Sequence, residues 1–264
     1  MIAVGRVAEP TRLMQNATPW TQELCDKRVA YYQQITAYSA SPQGKPPKKP
    51  RAKSDRYGHE EVREALDAMF SGKCAYCEAW VSHVAWQHVE HFRPASVYPA
   101  LAYRWSNLLY ACPRCNSEAK GGRFPLAPTE DTPEEDRANP CVRDDTDDAL
   151  LVDPCRDNPD DYLEFVGARL VAKIDPVSNA PYRRAICTIA VCGLNRINLA
   201  RRRLLFLHTV RLRIEAYEKA LAIGDGDQIQ KHRVYLKRYC RPDSEYAGMA
   251  RATLRECHID WRTL

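Results

Sequence analysis

Apolar positions along this 264-residue chain recur mainly at helical spacing. Between residues 21 and 38, Leu24, Val29, Tyr32 and Ile35 form a loose stripe that predicts a helix after an irregular N-terminal arm. From His59 to Phe70 the stripe is Val62, Leu66 and Met69, with Gly72 placed to end the helix. Pro181 to Leu194 reads as a helix stopping near Gly193. Asn198 can cap a long helix that reaches Ile223, with Leu207, Val210, Ile214, Tyr217 and Leu221 on its core face. Gln228 to Tyr239 and Ser244 to Cys257 predict two more. Strand signals are fewer: Tyr162–Val166 and Arg169–Ile174, joined through Gly167, predict a β-hairpin, and Ala149–Val152 is strand-like. No internal repeat is visible.

Two stretches break the pattern. Ser39 to Asp55 carries prolines and lysines with few apolar groups, so it reads as a flexible basic linker, either a solvated tether or an arm that brushes phosphates. Ala127 to Asp161 is acidic and proline-rich. The chain therefore divides into an N-terminal arm, helix and basic linker (1–56), a cysteine-bearing core (57–126), an acidic loop with the β-hairpin (127–180) and a helical C-terminal region (181–264). The predicted class is α+β with a mainly helical body.

Composition narrows the class without naming an activity. A hydrophobic content of 45% and a charged content of 28% are those of a soluble globular protein. No apolar run approaches the roughly 20 residues that span a bilayer. The first residues lack the apolar core of a signal peptide, so the expectation is a cytoplasmic protein with no membrane partner. Lys plus Arg number 39 against 34 Asp plus Glu, and a net charge of +5 permits a nucleic-acid partner without requiring one. Basic residues crowd Lys45–Arg56 and Arg183–Arg213.

The chain has 11 cysteines, and an odd count in a cytosolic chain argues for metal ligation and buried thiols over a disulfide framework. Cys25, Cys141, Cys155, Cys187, Cys192, Cys240 and Cys257 show no paired short spacing and read as small buried apolar residues. The other four form two C-x2-C pairs, Cys74/Cys77 and Cys112/Cys115. Each C-x2-C turn aims two thiolates at one point, and two turns complete a tetrahedral zinc site with no open position for catalysis. The expected Zn²⁺ is therefore structural.

Between and just after the pairs lie H-V-E-H-F-R-P (His88–Pro94), W-S-N-L-L-Y-A (Trp105–Ala111) and C-P-R-C-N-x3-K (Cys112–Lys120). In that order they resemble the HNH nuclease family, whose ββα-metal core is a β-hairpin followed by a helix. The resemblance implies a zinc-braced HNH core embedded in the helical body and a metal-dependent endonuclease. His91 would be general base, Glu90 and Asn116 ligands of a catalytic Mg²⁺ or Mn²⁺, and Asn107 a brace of the hairpin. The chemistry suits those residue types. A hard cation wants oxygen ligands and stabilises the leaving oxygen, and a neutral imidazole can take a proton from water. Position 116 is Asn where the family name has His, which favours Mg²⁺ or Mn²⁺ over tightly held Zn²⁺. Glu90 and His91 are adjacent on a strand and so face opposite ways, a difficulty for a shared site. Arg93, Lys120 and Arg123 could hold phosphate oxygens or be solvated charges. His88 is a candidate third ligand, and His83 reads as structural.

A wider likeness extends through M-F-S-G-K-C-A-Y-C-E (Met69–Glu78), L-L-V-D-P-C-R-D-N-P-D-D-Y-L-E-F (Leu150–Phe165) and G-L-N-R (Gly193–Arg196). These resemble the HNH subunit of Septu-type anti-phage defence systems, a relative of which accompanies some retrons. The resemblance implies a separate AAA/ABC-type ATPase partner and a nucleic-acid substrate, double-stranded DNA or, alternatively, RNA such as tRNA. A Walker A loop is not recognisable in the chain, so ATP dependence would come from the partner. Arg183, Arg184, Arg196, Arg201, Arg202, Arg203, Arg211 and Arg213 would then track a nucleic-acid backbone or dock an acidic ATPase surface. A non-catalytic zinc module binding nucleic acid or a partner protein is the reading from a different class.

Overall fold

The computed structural model describes residues 1–81, 88–173 and 180–264, with the backbone alone of His88. Its elements are α1 (Thr11–Ala40), α2 (Ser54–Tyr57), α3 (Glu60–Phe70), β1 (His88–His91), β2 (Leu108–Ala111), a π-helix (Arg114–Lys120), β3 (Leu163–Val166), β4 (Arg169–Ala172), α4 (Ala180–Val191), α5 (Ile197–Ile223), α6 (Gly226–Tyr239) and α7 (Ala247–Glu256). Helices around two small antiparallel hairpins make the fold α+β. Among the described residues no helix is long and apolar enough to cross a membrane.

Helix α1 begins ten residues earlier than its apolar stripe suggests and carries Pro19 in its interior. The stripe fails to mark the start because only Leu13, Leu24, Cys25 and Arg28 are buried along it. Arg28 is an unexpected core residue: its guanidinium meets Glu135 at 2.7 Å, with both side chains sealed from solvent. Cys25 is bonded to Cys141, joining α1 to the acidic loop across 116 residues. That corrects the reading of both as isolated thiols, since chain separation hides a pairing that only the fold creates. The linker is also strapped down. Lys49 pairs with Glu135 at 2.6 Å, Lys53 with Glu23 at 3.2 Å, and the Lys53 amide donates to the Tyr103 hydroxyl.

Helix α3 matches its stripe, burying Val62, Leu66, Met69 and Phe70. His59 caps its start, and Ser71 and Gly72 end it in left-handed conformations. The β3–β4 hairpin is shorter than its sequence pattern, and the expected strand end at Ile174 lies outside the described residues. Among the described residues Ala149–Val152 makes one isolated bridge, Leu126 to Ala149, although Leu150, Leu151 and Val152 are buried. Helix α5 starts before the expected cap: Asn198 lies inside its first turn, and Arg196 precedes it without a side-chain cap. Leu207, Val210 and Ile214 face the core as expected, but Leu221 is exposed.

One continuous core joins α1, α3, both cysteine pairs, both hairpins and α7. It runs across the segment boundaries drawn at residues 56, 126 and 180. The cysteine region is therefore braced from all sides.

Candidate metal centre and the adjoining hairpin

The first knuckle is a tight turn built on backbone hydrogen bonds. The Glu78 amide donates to Cys74 O at 3.0 Å, and the Cys74 amide to Ala79 O at 2.9 Å. Glu78 accepts the left-handed conformation this requires, with φ +63°. Its buried carboxylate accepts a hydrogen bond from the Gly248 amide of α7. The Ala75 amide donates to Tyr110 O, which fastens the knuckle to β2. The second knuckle enters the π-helix, where the Cys115 and Asn116 amides both donate to Cys112 O.

These turns bring Cys74, Cys77, Cys112 and Cys115 together with their sulfurs within 4.8 Å of one another. Tetrahedral zinc with Zn–S bonds of about 2.3 Å needs sulfurs about 3.8 Å apart. Cys77 and Cys112 are 3.9 Å apart. Geometry and donor softness therefore fit a structural Zn²⁺. Hydrogen bonds among the sulfurs hold the Cys77 and Cys112 thiols below their ordinary range, while burial pushes Cys74 up and hydrogen bonding, first to Cys112, pushes Cys115 up.

Arg196 closes the cluster. Its Nη1 donates to Cys115 Sγ at 3.3 Å, and Nη2 approaches Cys77 Sγ at 3.8 Å and Cys112 Sγ at 3.9 Å. Despite its burial, the neighbouring sulfurs raise the guanidinium above its ordinary value. Arg196, expected to track a nucleic-acid backbone or dock a partner, thus has partners within the chain. The G-L-N-R run now has a physical account. Gly193 sits at φ +57°, and an added Cβ would come within 3.2 Å of Ala119 on the π-helix. Asn195 clasps Leu170 by both its amide and its carbonyl, at 2.9 and 2.7 Å. Arg196 is thereby aimed at the thiolates.

Strands β1 and β2 pair antiparallel with Glu90 opposite Leu109 and His91 opposite Leu108. The π-helix follows directly. On this hairpin His91 and Glu90 take opposite faces. The His91 ring is half-buried, lies at 4.5 Å from the Tyr57 ring, and has Nε2 at 2.8 Å from Ala102 O. A carbonyl can only accept, so Nε2 carries the proton and Nδ1 keeps the lone pair. Burial lowers the imidazole pKa to about 4, so it is neutral at physiological pH.

Glu90 points inward, and its side chain is nearly sealed. Its Oε1 meets Lys120 Nζ at 2.7 Å and accepts from the Tyr76 hydroxyl at 3.3 Å. Burial pushes the carboxyl pKa up even against the lowering by Lys120. Lys120 also donates to His91 O at 3.1 Å and is fully enclosed. Asn107 makes a double clasp: Oδ1 accepts from the Arg93 amide at 2.8 Å, while Nδ2 donates to Arg93 O and Leu101 O at 3.0 and 3.1 Å. It thus holds the loop that presents Ala102 O to His91. The side chain of Asn116 is half-buried and makes no hydrogen bond among the described residues.

Of the three residues expected near phosphate, Lys120 is the buried partner of Glu90. Arg93 is buried over Phe92 and Phe124 and donates to Asp147 O at 3.1 Å. Arg123 is exposed and donates to Ala119 O and Val191 O. His83 and the His88 side chain lie outside the described residues. Other basic residues also have internal tasks. Arg203 is fully buried against Leu194 O, Arg184 forks onto Asp157, Arg183 pairs with Glu130, and Arg213 meets His232. Tyr57 and Ala102 carry no signal in the sequence, and the thiol contact of Arg196 carries none either, because these roles depend on distant neighbours.

The chain is 33% identical over 178 residues to Septu protein PtuB of Bacillus mycoides (strain KBAB4), covering 62% of this chain and 55% of that protein. It is 38% identical over 87 residues to Septu protein PtuB of Bacillus thuringiensis, covering 33% of this chain and 31% of that protein. The matches therefore span about half or less of the curated relatives' lengths. No protein-family model matches the chain.

Proposed function

We propose that this chain is the HNH-type nuclease component of a Septu-type anti-phage defence system, hydrolysing phosphodiester bonds in double-stranded DNA and working beside a separate AAA/ABC-type ATPase. The observation that carries the reading is the His91 imidazole, neutral and fixed by Ala102 O, with no partner for its Nδ1 lone pair among the described residues. Such a ring can take a proton from an attacking water. The hairpin-then-helix order of β1, β2 and the π-helix supports a ββα-metal core, and the two similar proteins named PtuB support the defence context.

In this reading the four-cysteine Zn²⁺ is a brace. Cys115 adjoins Asn116, and Ala75 is tied to β2, so the metal fixes the hairpin and the π-helix relative to each other. Asn107 positions the loop that orients His91. The further expectation, a catalytic Mg²⁺ or Mn²⁺ on Glu90 and Asn116, does not fit the arrangement of Glu90. An ammonium already neutralises that buried carboxylate, and a dication beside it would be repelled. The same ion pair favours the second reading, a non-catalytic zinc module that binds nucleic acid or a partner protein.

One experiment separates these readings. Wild type and His91→Ala are incubated with supercoiled plasmid and, separately, with total tRNA, with and without Mg²⁺ or Mn²⁺. Plasmid nicking that is lost in His91→Ala at unchanged zinc content and melting temperature supports the assignment. Cleavage of tRNA alone moves the substrate to RNA. Equal activity in both proteins overturns the role of His91, and binding without cleavage in wild type supports the zinc module.

A further inference from the structure

Helix α5 carries apolar residues on two faces. Leu199, Leu207, Val210 and Ile214 are buried on one. On the other, Ile197, Leu204, Leu205 and Leu212 are exposed at 69%, 55%, 66% and 51%. Ile197 and Leu204, like Leu205 and Leu212, are seven residues apart, so the four form a strip along about 22 Å of helix. Single exposed aliphatics are ordinary, but four on one arc of a helix offer a surface on which a partner can pack.

The charges around the strip select the occupant. Arg201 and His208 are exposed within its arc and Arg202 and Arg211 on its two sides, and Ile197–Ile214 contains no acidic residue. Among the described residues no salt bridge joins Arg201, Arg202 or Arg211 to an acid, whereas Arg183 and Arg184 pair with Glu130 and Asp157. A nucleic-acid backbone would use the arginines but gain little from aliphatic side chains, which do not stack on bases as aromatic rings do. A second copy laid antiparallel so that Ile197 meets Leu212 would set Arg201 beside His208 of its mate and lay one basic face, free of acids over Ile197–Ile214, on another, an unfavourable like-charge contact. An amphipathic helix with an apolar seam flanked by Asp or Glu satisfies both features.

We propose that the outward face of α5 is a docking strip for an acidic amphipathic helix of a partner protein. This gives chemistry to the partner expected above and stands whether or not the chain cleaves nucleic acid.

The test uses the full chain and fluorescence anisotropy with three probes: a labelled synthetic helix with a leucine seam and glutamates flanking it, its lysine-flanked counterpart, and a labelled DNA duplex. The glutamate peptide should bind, more weakly as salt rises, and the lysine peptide should bind roughly tenfold less tightly. Leu204→Ser/Leu212→Ser and Arg201→Ala/Arg211→Ala should each weaken the glutamate peptide by roughly tenfold. Circular dichroism melting and zinc content should match wild type, because these side chains point to solvent.

Failure of the glutamate peptide to bind, or equal binding of both peptides, overturns the proposal. So does duplex binding that is lost in the arginine variant alone, which makes the face a nucleic-acid track. A dimer by light scattering that the leucine variant splits makes it a self-interface. Because no arm depends on cleavage, failure here is distinguishable from failure of the nuclease reading.

Discussion

Arg196 donates through Nη1 to the Cys115 sulfur at 3.3 Å, placing a cation against a cluster of four thiol ligands. Four thiolates around Zn²⁺ leave an excess of two negative charges in a largely buried site, and a nearby guanidinium offsets part of it. Arg196→Ala should weaken zinc binding by roughly 10- to 100-fold. Competition with a chromogenic zinc chelator checks this, and Arg196→Lys should recover part of the loss because it keeps charge without the fork. Unchanged zinc retention in Arg196→Ala would dismiss the guanidinium as a bystander.

The buried Glu90–Lys120 pair makes a second prediction. Lys120→Met leaves an uncompensated carboxylate in the core and should destabilise the fold by about 3–5 kcal/mol. Glu90→Gln should also destabilise, and the double variant should lose well under the sum of the two single losses. Urea unfolding of all four proteins reads the coupling, and simple additivity would show that the two groups do not act as a pair.

His91 supplies a prediction in pH. Its folded pKa lies at about 4 against an ordinary value of 6.5, so the unfolded chain binds the proton first. The stability linked to His91 is therefore present above pH 6.5 and is lost as pH falls toward 4. Imidazole ¹⁵N spectra should show Nε2 protonated and Nδ1 bare at pH 7, with no titration of this ring until well below pH 6. If the chain cleaves nucleic acid, an acid limb governed by His91 belongs near pH 4. A ring titrating near 6.5 would contradict the buried geometry.

The Cys25–Cys141 bond closes a loop of 116 residues between α1 and the acidic segment. Chain-entropy reasoning assigns such a loop up to about 4–5 kcal/mol. In oxidising buffer, Cys141→Ser should melt at a lower temperature than wild type, and dithiothreitol should lower wild type toward the variant while leaving the variant unmoved. Identical melting with and without reductant, with both thiols alkylated, would mean that the bond does not form in solution.

Local patterns were sufficient for some of this. Leu66 and Met69 mark α3, and Gly167 marks the second hairpin, because a helix stripe or a two-strand turn is written over a few neighbouring residues. The two C-x2-C spacings likewise point to one metal, since each turn is local and only their meeting is tertiary. Tertiary structure decided which charges are free. Arg196, Arg203 and Arg184 belong to one basic cluster in the sequence, yet they turn to thiolates, a carbonyl and an aspartate, while Arg201 and Arg211 stay in solvent. It also decided the state of Glu90 and His91. Strand alternation puts adjacent residues on opposite faces, but Lys120 at the end of the π-helix seals one, and Ala102 O in the connecting loop orients the other. Those partners stand 30 and 11 residues away, at separations where no sequence period reports a contact.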